Sequence, residues 1–396
     1  MADFVASPHI TPKEKAFFSP ANHKRVTQII KAGKCVNCLK DIPPVYLNVD
    51  ITWRCNFDCI GCIDGGVVGR KEIVKDTSLD MDWNLATDLL NYAKGYKLLG
   101  FIVQGGEPLL YPQIDKFLDT CAEAQLVLRL VTNGSQLMHH LEHLIPAFKI
   151  PKSVIRVSVD ADVGHYSAFT RVHSNAHDVL KGIEELAKAS AHIIVGTVVF
   201  GRNIERKGLV ANFNQIKEIY KSVSEAGAQT VILLPGRDPQ TKEMVPFEKD
   251  ELDFLDGLSH IQGNTKVVLG GRFVVEKEIP ACDQVKNYIP CPTALLRIVV
   301  GSDGRLFNCT EHRGARDAEI GRVSPRAPFR KVWHSEQRVR RQLQFDPRVH
   351  CSRITCDRHG INTTAETARR GYAEFGCSSI IRHVLLDHDE SAEAFF

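Results

Sequence analysis

The sequence predicts an α/β fold on a parallel sheet with right-handed crossovers, either an open doubly wound sheet or a curved partial barrel. Three observations carry that expectation. Apolar, β-branched segments recur at 45–51, 98–103, 126–132, 154–160, 192–199 and 229–235. Helical patterns lie between them, and strand–helix–strand alternation is what produces parallel pairing. Chemistry-bearing residues then follow successive segments, at the carboxyl ends where parallel sheets build their ligand sites.

Composition narrows the class. The 396 residues, 43% hydrophobic and 24% charged, suffice for a main domain plus a smaller one. A formal net charge of +3 argues against bulk electrostatic attraction to nucleic acid. The longest apolar runs, such as His192 to Phe200, are strand length and far short of a membrane span. The start, Met1-Ala2-Asp3-Phe4-Val5, lacks the basic-then-apolar pattern of a secretory signal. A cytoplasmic location is therefore expected, where twelve cysteines read as thiolates for metal or redox chemistry.

Residues 1–44 form an N-terminal extension broken by Pro8, Pro12, Pro20, Pro43 and Pro44. It contains Cys35-Val36-Asn37-Cys38, a pair that can chelate a metal, form a redox disulfide, or do neither. The main unit spans 45–245. Its first strand leads into Arg54-Cys55-Asn56-Phe57-Asp58-Cys59-Ile60-Gly61-Cys62, a C-x3-C-x2-C loop. A structural zinc or a complete cluster wants four protein ligands. Three thiolates on a four-iron cluster would leave one iron open to an outside ligand.

The second strand runs into Gln104-Gly105-Gly106-Glu107-Pro108 and the third into Thr132-Asn133-Gly134. The fourth carries Ser158-Val159-Asp160, the fifth ends near Asn203, and the sixth meets Pro235-Gly236-Arg237-Asp238. Alone, Gly-Gly or Asn-Gly marks only a turn. At the same end of successive strands they describe one pocket. Between the strands, helix 111–124 places Ile114, Phe117, Leu118, Cys121 and Ala122 on one face, which makes Cys121 a core residue. Helix 211–226 does the same with Phe213, Ile216, Ile219, Tyr220 and Val223.

A linker region at 246–281 contains a helix near Asp250 to Leu258. The unit 282–378 holds a second cysteine group, Cys282, Cys291, Cys309, Cys351, Cys356 and Cys377. Between Cys291 and Cys309, apolar strands flank Asp303-Gly304 and predict a hairpin. That hairpin would bring Cys291 and Cys309 together, and Cys351-x4-Cys356 would supply two further ligands. The basic run Arg326, Arg330, Lys331, Arg338, Arg340, Arg341 and Arg348 reads as a solvated helix face partly paired with Glu336. A final helix is expected around Ala365 to Tyr372, followed by the tail 379–396.

The cysteine loop, Gly105-Gly106-Glu107-Pro108, Thr132-Asn133-Gly134 and Ser158-x-Asp160, in this order over about residues 45–240, resemble the radical S-adenosylmethionine (SAM) superfamily. The resemblance implies a partial (β/α)6 barrel holding a [4Fe-4S] cluster on Cys55, Cys59 and Cys62, with SAM chelating the open iron. One-electron cleavage of the sulfonium would give a 5′-deoxyadenosyl radical that takes a hydrogen atom from the substrate. It also implies roles for side chains. Gly105, Gly106 and Glu107 would receive the methionyl ammonium, and Ser158 and Asp160 the ribose hydroxyls or methionyl end. Arg171 would pair with the SAM carboxylate, and Val198 would wall the adenine. One departure stands out: the family usually has an aromatic residue before the last loop cysteine, and here it is Gly61. The adenine contact is then expected from elsewhere.

The second cysteine group is similar to the SPASM and twitch extensions of this superfamily. The matching features are Cys291, Gly304-x4-Cys309, Ile320-Gly321-Arg322-Val323, Val332-Trp333-His334-Ser335, Cys351 and Cys356. The sparser cysteines favour the twitch type, with one auxiliary iron–sulfur cluster on Cys291, Cys309, Cys351 and Cys356. Cys282 and Cys377 would be substitutes or would join Cys35 and Cys38 at a second site; a structural zinc on the same four cysteines is the alternative. An electron donor such as flavodoxin or ferredoxin is implied. The expected substrate is a small molecule, a sugar or aminoglycoside-like intermediate oxidised or epimerised at carbon, because no separate peptide-recognition domain stands in the N-terminal segment. The alternatives are a maturase acting on a ribosomally made peptide or protein and, from another class, a zinc-binding nucleic-acid module.

Overall fold

The computed structural model describes residues 20–64, 79–204, 209–239, 245–261, 263–270, 273, 288, 290–315, 318–351 and 359–375. Two helices, α1 (Pro20–Ala32) and α2 (Val36–Lys40), lead into β1 (Tyr46–Thr52). There follow α3 (Trp83–Gly95), β2 (Gly100–Gly105), α4 (Ile114–Glu123), β3 (Val127–Thr132), α5 (Leu141–Phe148) and β4 (Val154–Ser158). Next come α6 (Tyr166–Thr170), α7 (Ala176–Lys188), β5 (Ile193–Val199), α8 (Ile216–Glu225), β6 (Thr230–Pro235), α9 (Lys249–Ser259) and β7 (Lys266–Leu269). The remainder is α10 (Pro292–Leu296), β8 (Arg297–Val300), β9 (Arg305–Phe307), β10 (Glu319–Arg322), α11 (Phe329–Trp333), α12 (Glu336–Gln344), α13 (Pro347–His350) and α14 (His359–Phe375).

All ten strands form one sheet in the order β10-β9-β8-β1-β2-β3-β4-β5-β6-β7. From β1 to β7 each strand pairs parallel with the next, so their carboxyl ends share one edge. The sheet is open, as a partial barrel requires: β7 and β10 stand at its two ends. The six strand candidates fall on β1 to β6, and β7 lies in the stretch expected as linker. The expected hairpin forms as β8 and β9, paired antiparallel. It does not stand apart, because β8 pairs parallel with β1, Tyr46 opposite Arg297 and Val49 opposite Val300.

Amphipathic spacing explains the helices. In α4, Ile114, Phe117, Leu118 and Cys121 are buried in the main core. Each large apolar side chain there stabilises by about 1.5–3 kcal/mol relative to exposure. A second core joins α1 to α10, α12 and α14: Val26, Ile29 and Ile30 meet Leu295, Leu296, Val339, Ala365 and Ala368. The buried Trp333 indole donates to the Ile42 carbonyl at 2.9 Å. The basic run is split. Arg338 is buried over the Trp333 ring at 4.1 Å, whereas Arg340 pairs with Glu336 and Arg348 with Asp346 on the surface.

Cys35 and Cys38 are joined by a disulfide, with Cα atoms 5.3 Å apart. Of the three readings open to this pair, the disulfide is the one present, which leaves neither thiol available for a second metal site. Cys356, Cys282, Cys377 and the tail 379–396 lie outside the described residues. Among the described residues no helix is long and apolar enough to cross a membrane.

Candidate functional site

The cysteine loop hangs from the carboxyl end of β1 and is fixed on both sides. The Gly106 and Glu107 amides donate to the Thr52 and Arg54 carbonyls at 2.8 and 2.7 Å. On the other side the Asp58 and Ile60 amides donate to the Thr170 and Phe169 carbonyls of α6 at 3.1 and 3.0 Å. Gly105 and Gly106 are required by this packing itself. A Cβ on Gly105 would lie 2.1 Å from the Thr52 carbonyl oxygen, and one on Gly106 2.2 Å from that of Arg54. Gly105 also holds φ at +140°, which L side chains rarely adopt.

Cys55, Cys59 and Cys62 form no disulfide and are partly exposed. Donors are aimed at the first: the Phe57 amide is 3.4 Å and the Asn133 side-chain amide 3.9 Å from Cys55 Sγ. The same Asn133 amide donates to Asn56 Oδ1 at 2.9 Å, tying the loop to the end of β3. Burial, then the Asp160 carboxylate, holds the Cys59 thiol well above the usual range. Ligation by a cation would reverse that, because a bound cysteine must give up its proton.

Glu107 is turned inward. Its side chain is fully buried, and its carboxylate accepts from the Thr132 hydroxyl (2.7 Å), the Asn133 amide (2.6 Å) and the Leu109 amide (3.0 Å). Burial, offset in part by these donors, raises its pKa to about 6. It therefore braces the ends of β2 and β3, and what this segment turns toward the loop is the backbone of Gly105 and Gly106.

Asp160 follows β4, and its Oδ1 accepts from the Val198 amide of β5 at 2.7 Å. Burial raises its pKa to about 6 against the opposing effects of that amide and of Arg156. Ser158 pairs with Gly196, which has no side chain because Arg156 lies across it: a Cβ there would be 2.5 Å from Arg156 Nε. Arg171 caps α6 in the left-handed region at φ 56° and is exposed.

The departure at Gly61 has a steric cause. A Cβ there would sit 2.8 Å from Cε2 of Phe200 and 3.3 Å from Cζ of Phe169. On its other side the Phe200 ring lies against Gly236, where a Cβ would be 2.4 Å away. An aromatic group thus does stand beside the last cysteine, supplied by the end of β5 and admitted by two glycines. Gly61→Ala should lower stability by about 1–3 kcal/mol through overpacking, measured by urea unfolding; a second change, Phe200→Leu, should recover most of that loss.

Several polar residues were missed by reading only strand ends. Asn48 and Asp50 alternate along β1 with Leu47, Val49 and Ile51 of the core, so the other face of this buried strand is polar. Asp50 pairs in register with Gln104. It also pairs with Arg313 at 3.0 Å, and Arg313 reaches Asp64, two residues past Cys62, at 2.8 Å. The alternation Asn48, Asp50, Thr52 was available in the sequence as a signal; Arg313 had none.

Of the second cysteine set, Cys291, Cys309 and Cys351 lie among the described residues. Cys291 caps α10, and burial raises its thiol's pKa, with the nearby Cys309 acting in the same direction. Arg297 Nη2 donates to Cys309 Sγ at 3.7 Å. His312 Nε2 lies 3.2 Å from Cys351 Sγ, a partner that cysteine spacing did not indicate. Among the described residues no group of three or more His, Cys, Asp or Glu is gathered tightly enough to hold a single metal ion. Thiols that receive N–H donors are the donor chemistry of an iron–sulfur cluster, and Cys55 and Cys309 are of that kind.

Residues 49–213 match the family model described as "Radical SAM superfamily". The chain is 23% identical to an AdoMet-dependent heme synthase of Methanosarcina barkeri over 75% of its length and 84% of that protein. It is 28% identical to a GTP 3′,8-cyclase of Paracoccus denitrificans over 59% of its length and 62% of the cyclase. Against a probable GTP 3′,8-cyclase of Halobacterium salinarum it is 26% identical, spanning only 42% of that protein. Its fold is similar to Streptococcus suis SuiB bound to precursor peptide SuiA, with a TM-score of 0.56 at 16% identity, covering 94% of this chain and 78% of SuiB. It is also similar to anSMEcpe with bound AdoMet, with a TM-score of 0.52 at 14% identity, covering 86% and 99%.

Proposed function

Because this chain belongs to the radical SAM superfamily, and is an enzyme using a [4Fe-4S] cluster and SAM, we propose that it abstracts a hydrogen atom from a polar small molecule, oxidising or epimerising it at carbon. The substrate we favour is a sugar or aminoglycoside-like intermediate. When bound, the cluster and SAM supply a 5′-deoxyadenosyl radical by one-electron cleavage of the sulfonium bond. Cys55, Cys59 and Cys62 would hold the cluster. Gly105 and Gly106 would bring backbone close to the methionyl ammonium, over the brace that Glu107 makes to β3. Ser158 and Asp160 would face the ribose or methionyl end, Val198 the adenine, and Arg171 the carboxylate. Cys291, Cys309, Cys351 and Cys356 would hold one auxiliary cluster. A flavodoxin or ferredoxin in the cytoplasm would deliver the electron.

The observation that carries the substrate reading is the polar face of β1, where Asn48 and Asp50 stand with Gln104 of β2 and Arg313. Such a surface suits a substrate rich in hydrogen-bonding groups. Relatives named for heme synthesis and GTP cyclisation are also small-molecule enzymes by name. The fold shared with SuiB keeps a peptide substrate as the second reading. Anaerobically prepared protein, reduced with dithionite and given SAM, should release 5′-deoxyadenosine, and a set of aminocyclitols and amino sugars should accelerate that release. A colourless protein that never makes 5′-deoxyadenosine would end the proposal, and acceleration only by peptides would replace the substrate.

A further inference from the structure

One turn of chain stands between the two cysteine sets. Cys309 opens it, and the His312 amide donates back to the Cys309 carbonyl at 3.2 Å. His312 is only 9% exposed, and its ring meets Phe345 edge-on with centroids 5.2 Å apart. Phe345 is in turn stacked on His350 at 4.5 Å. Packed this way, the imidazole points Nε2 at Cys351 Sγ, 3.2 Å away at the end of α13. The next residue, Arg313, reaches back to Asp50 and Asp64.

We propose that His312 is a positioning residue for the auxiliary cluster: its Nε2–H donates to the Cys351 sulfur and raises the cluster's reduction potential. The inference rests on the reading of Cys291, Cys309, Cys351 and Cys356 as a cluster site. A cysteine bound to iron has lost its proton, so at this distance the imidazole must be the donor and carries its hydrogen on Nε2. Reduction adds one negative charge to the cluster, and a donor at a ligand sulfur stabilises that charge. Arg297 makes the corresponding contact to Cys309, so two of the ligand sulfurs receive donors from this chain.

The test uses the full chain, reconstituted anaerobically, with Cys59→Ala removing the signal of the first cluster. In that background His312→Phe keeps the ring packing against Phe345 and loses the donor, whereas His312→Gln can keep an N–H. An EPR-monitored redox titration with dithionite should show a lower midpoint and an altered signal for the Phe variant at unchanged iron content. The Gln variant should stay close to its parent. Identical midpoints and spectra in parent and Phe variant, with iron still bound, would overturn the role of His312 alone. Loss of iron in both variants would overturn it in favour of direct ligation. An iron-free Cys59→Ala parent would overturn it together with the auxiliary cluster itself, while SAM cleavage by the unmodified chain would show that the first cluster still stands.

Discussion

Cys59→Ala should abolish SAM cleavage while leaving the fold intact. The first loop would then offer two thiolates, and the neighbouring groups cannot replace the third. The Asn133 side-chain amide is spent on Asn56 and Cys55, Glu107 is committed to three donors of its own chain, and Asp160 is tied to the Val198 amide. The expected readings are a loss of about four irons per chain, the content of one such cluster, and a fall in 5′-deoxyadenosine formation of at least ~10³-fold, equivalent to about 4 kcal/mol in barrier. Unfolding by urea should change little, because the loop is held by backbone bonds to β1, β2 and α6 that the substitution leaves untouched. Iron associated with the second cysteine set should remain. Undiminished cleavage in this variant would show that the cluster is held elsewhere.

What could be read from the sequence, and what could not, divides by the range of the interaction. Strands β1 to β6 were legible because period and β-branching are local properties, and the β8–β9 hairpin because Asp303-Gly304 marks its turn. The cysteine loop and the residues after β2, β3 and β4 were legible because parallel pairing brings consecutive strand ends together. The role of Gly61 was not. Its meaning depends on Phe200, which is distant in sequence and has no periodic relation to the loop, so a filled position read as a missing aromatic group. Glu107 was read from its type as a hydrogen-bond acceptor for a ligand, whereas Thr132, Asn133 and Leu109 had already taken that capacity. The attachment of β8 to β1 escaped for the same reason, since the pairing of Tyr46 with Arg297 joins segments too distant in sequence to leave a local mark. His312 and Arg313 follow Cys309 closely, yet their partners Cys351, Asp50 and Asp64 are set only by the folded sheet.

Arg313→Ala should be among the most destabilising single substitutions in the chain, and its effect should grow with pH. The guanidinium side chain is 9% exposed, pairs with Asp50 and Asp64, and lies over the Trp53 ring at 5.2 Å. Removing one partner of a buried pair leaves an uncompensated charge and costs about 3–5 kcal/mol. The charge left behind is that of Asp50, fully buried on β1, whose pKa burial already raises to about 6 with Arg313 opposing the shift. The folded state thus holds a proton on Asp50 that the unfolded chain, near its ordinary 3.8, has released. Stability contributed by that proton is fully present below 3.8 and is lost as pH rises through about 6. Without Arg313 the folded pKa moves higher, so the window of loss extends upward and the variant's deficit should be smaller near pH 5 than near pH 8. Urea unfolding at the two pH values measures this directly. Adding Asp50→Asn should restore much of the loss at the higher pH, because it removes the charge that Arg313 compensates. An equal deficit at both pH values, or no recovery in the double variant, would mean that packing against Trp53 rather than charge makes Arg313 structural. If charge is the cause, Arg313 joins the first cysteine loop, through Asp64, to the turn that begins at Cys309, and the two cysteine sites are built on one buried ion-pair network.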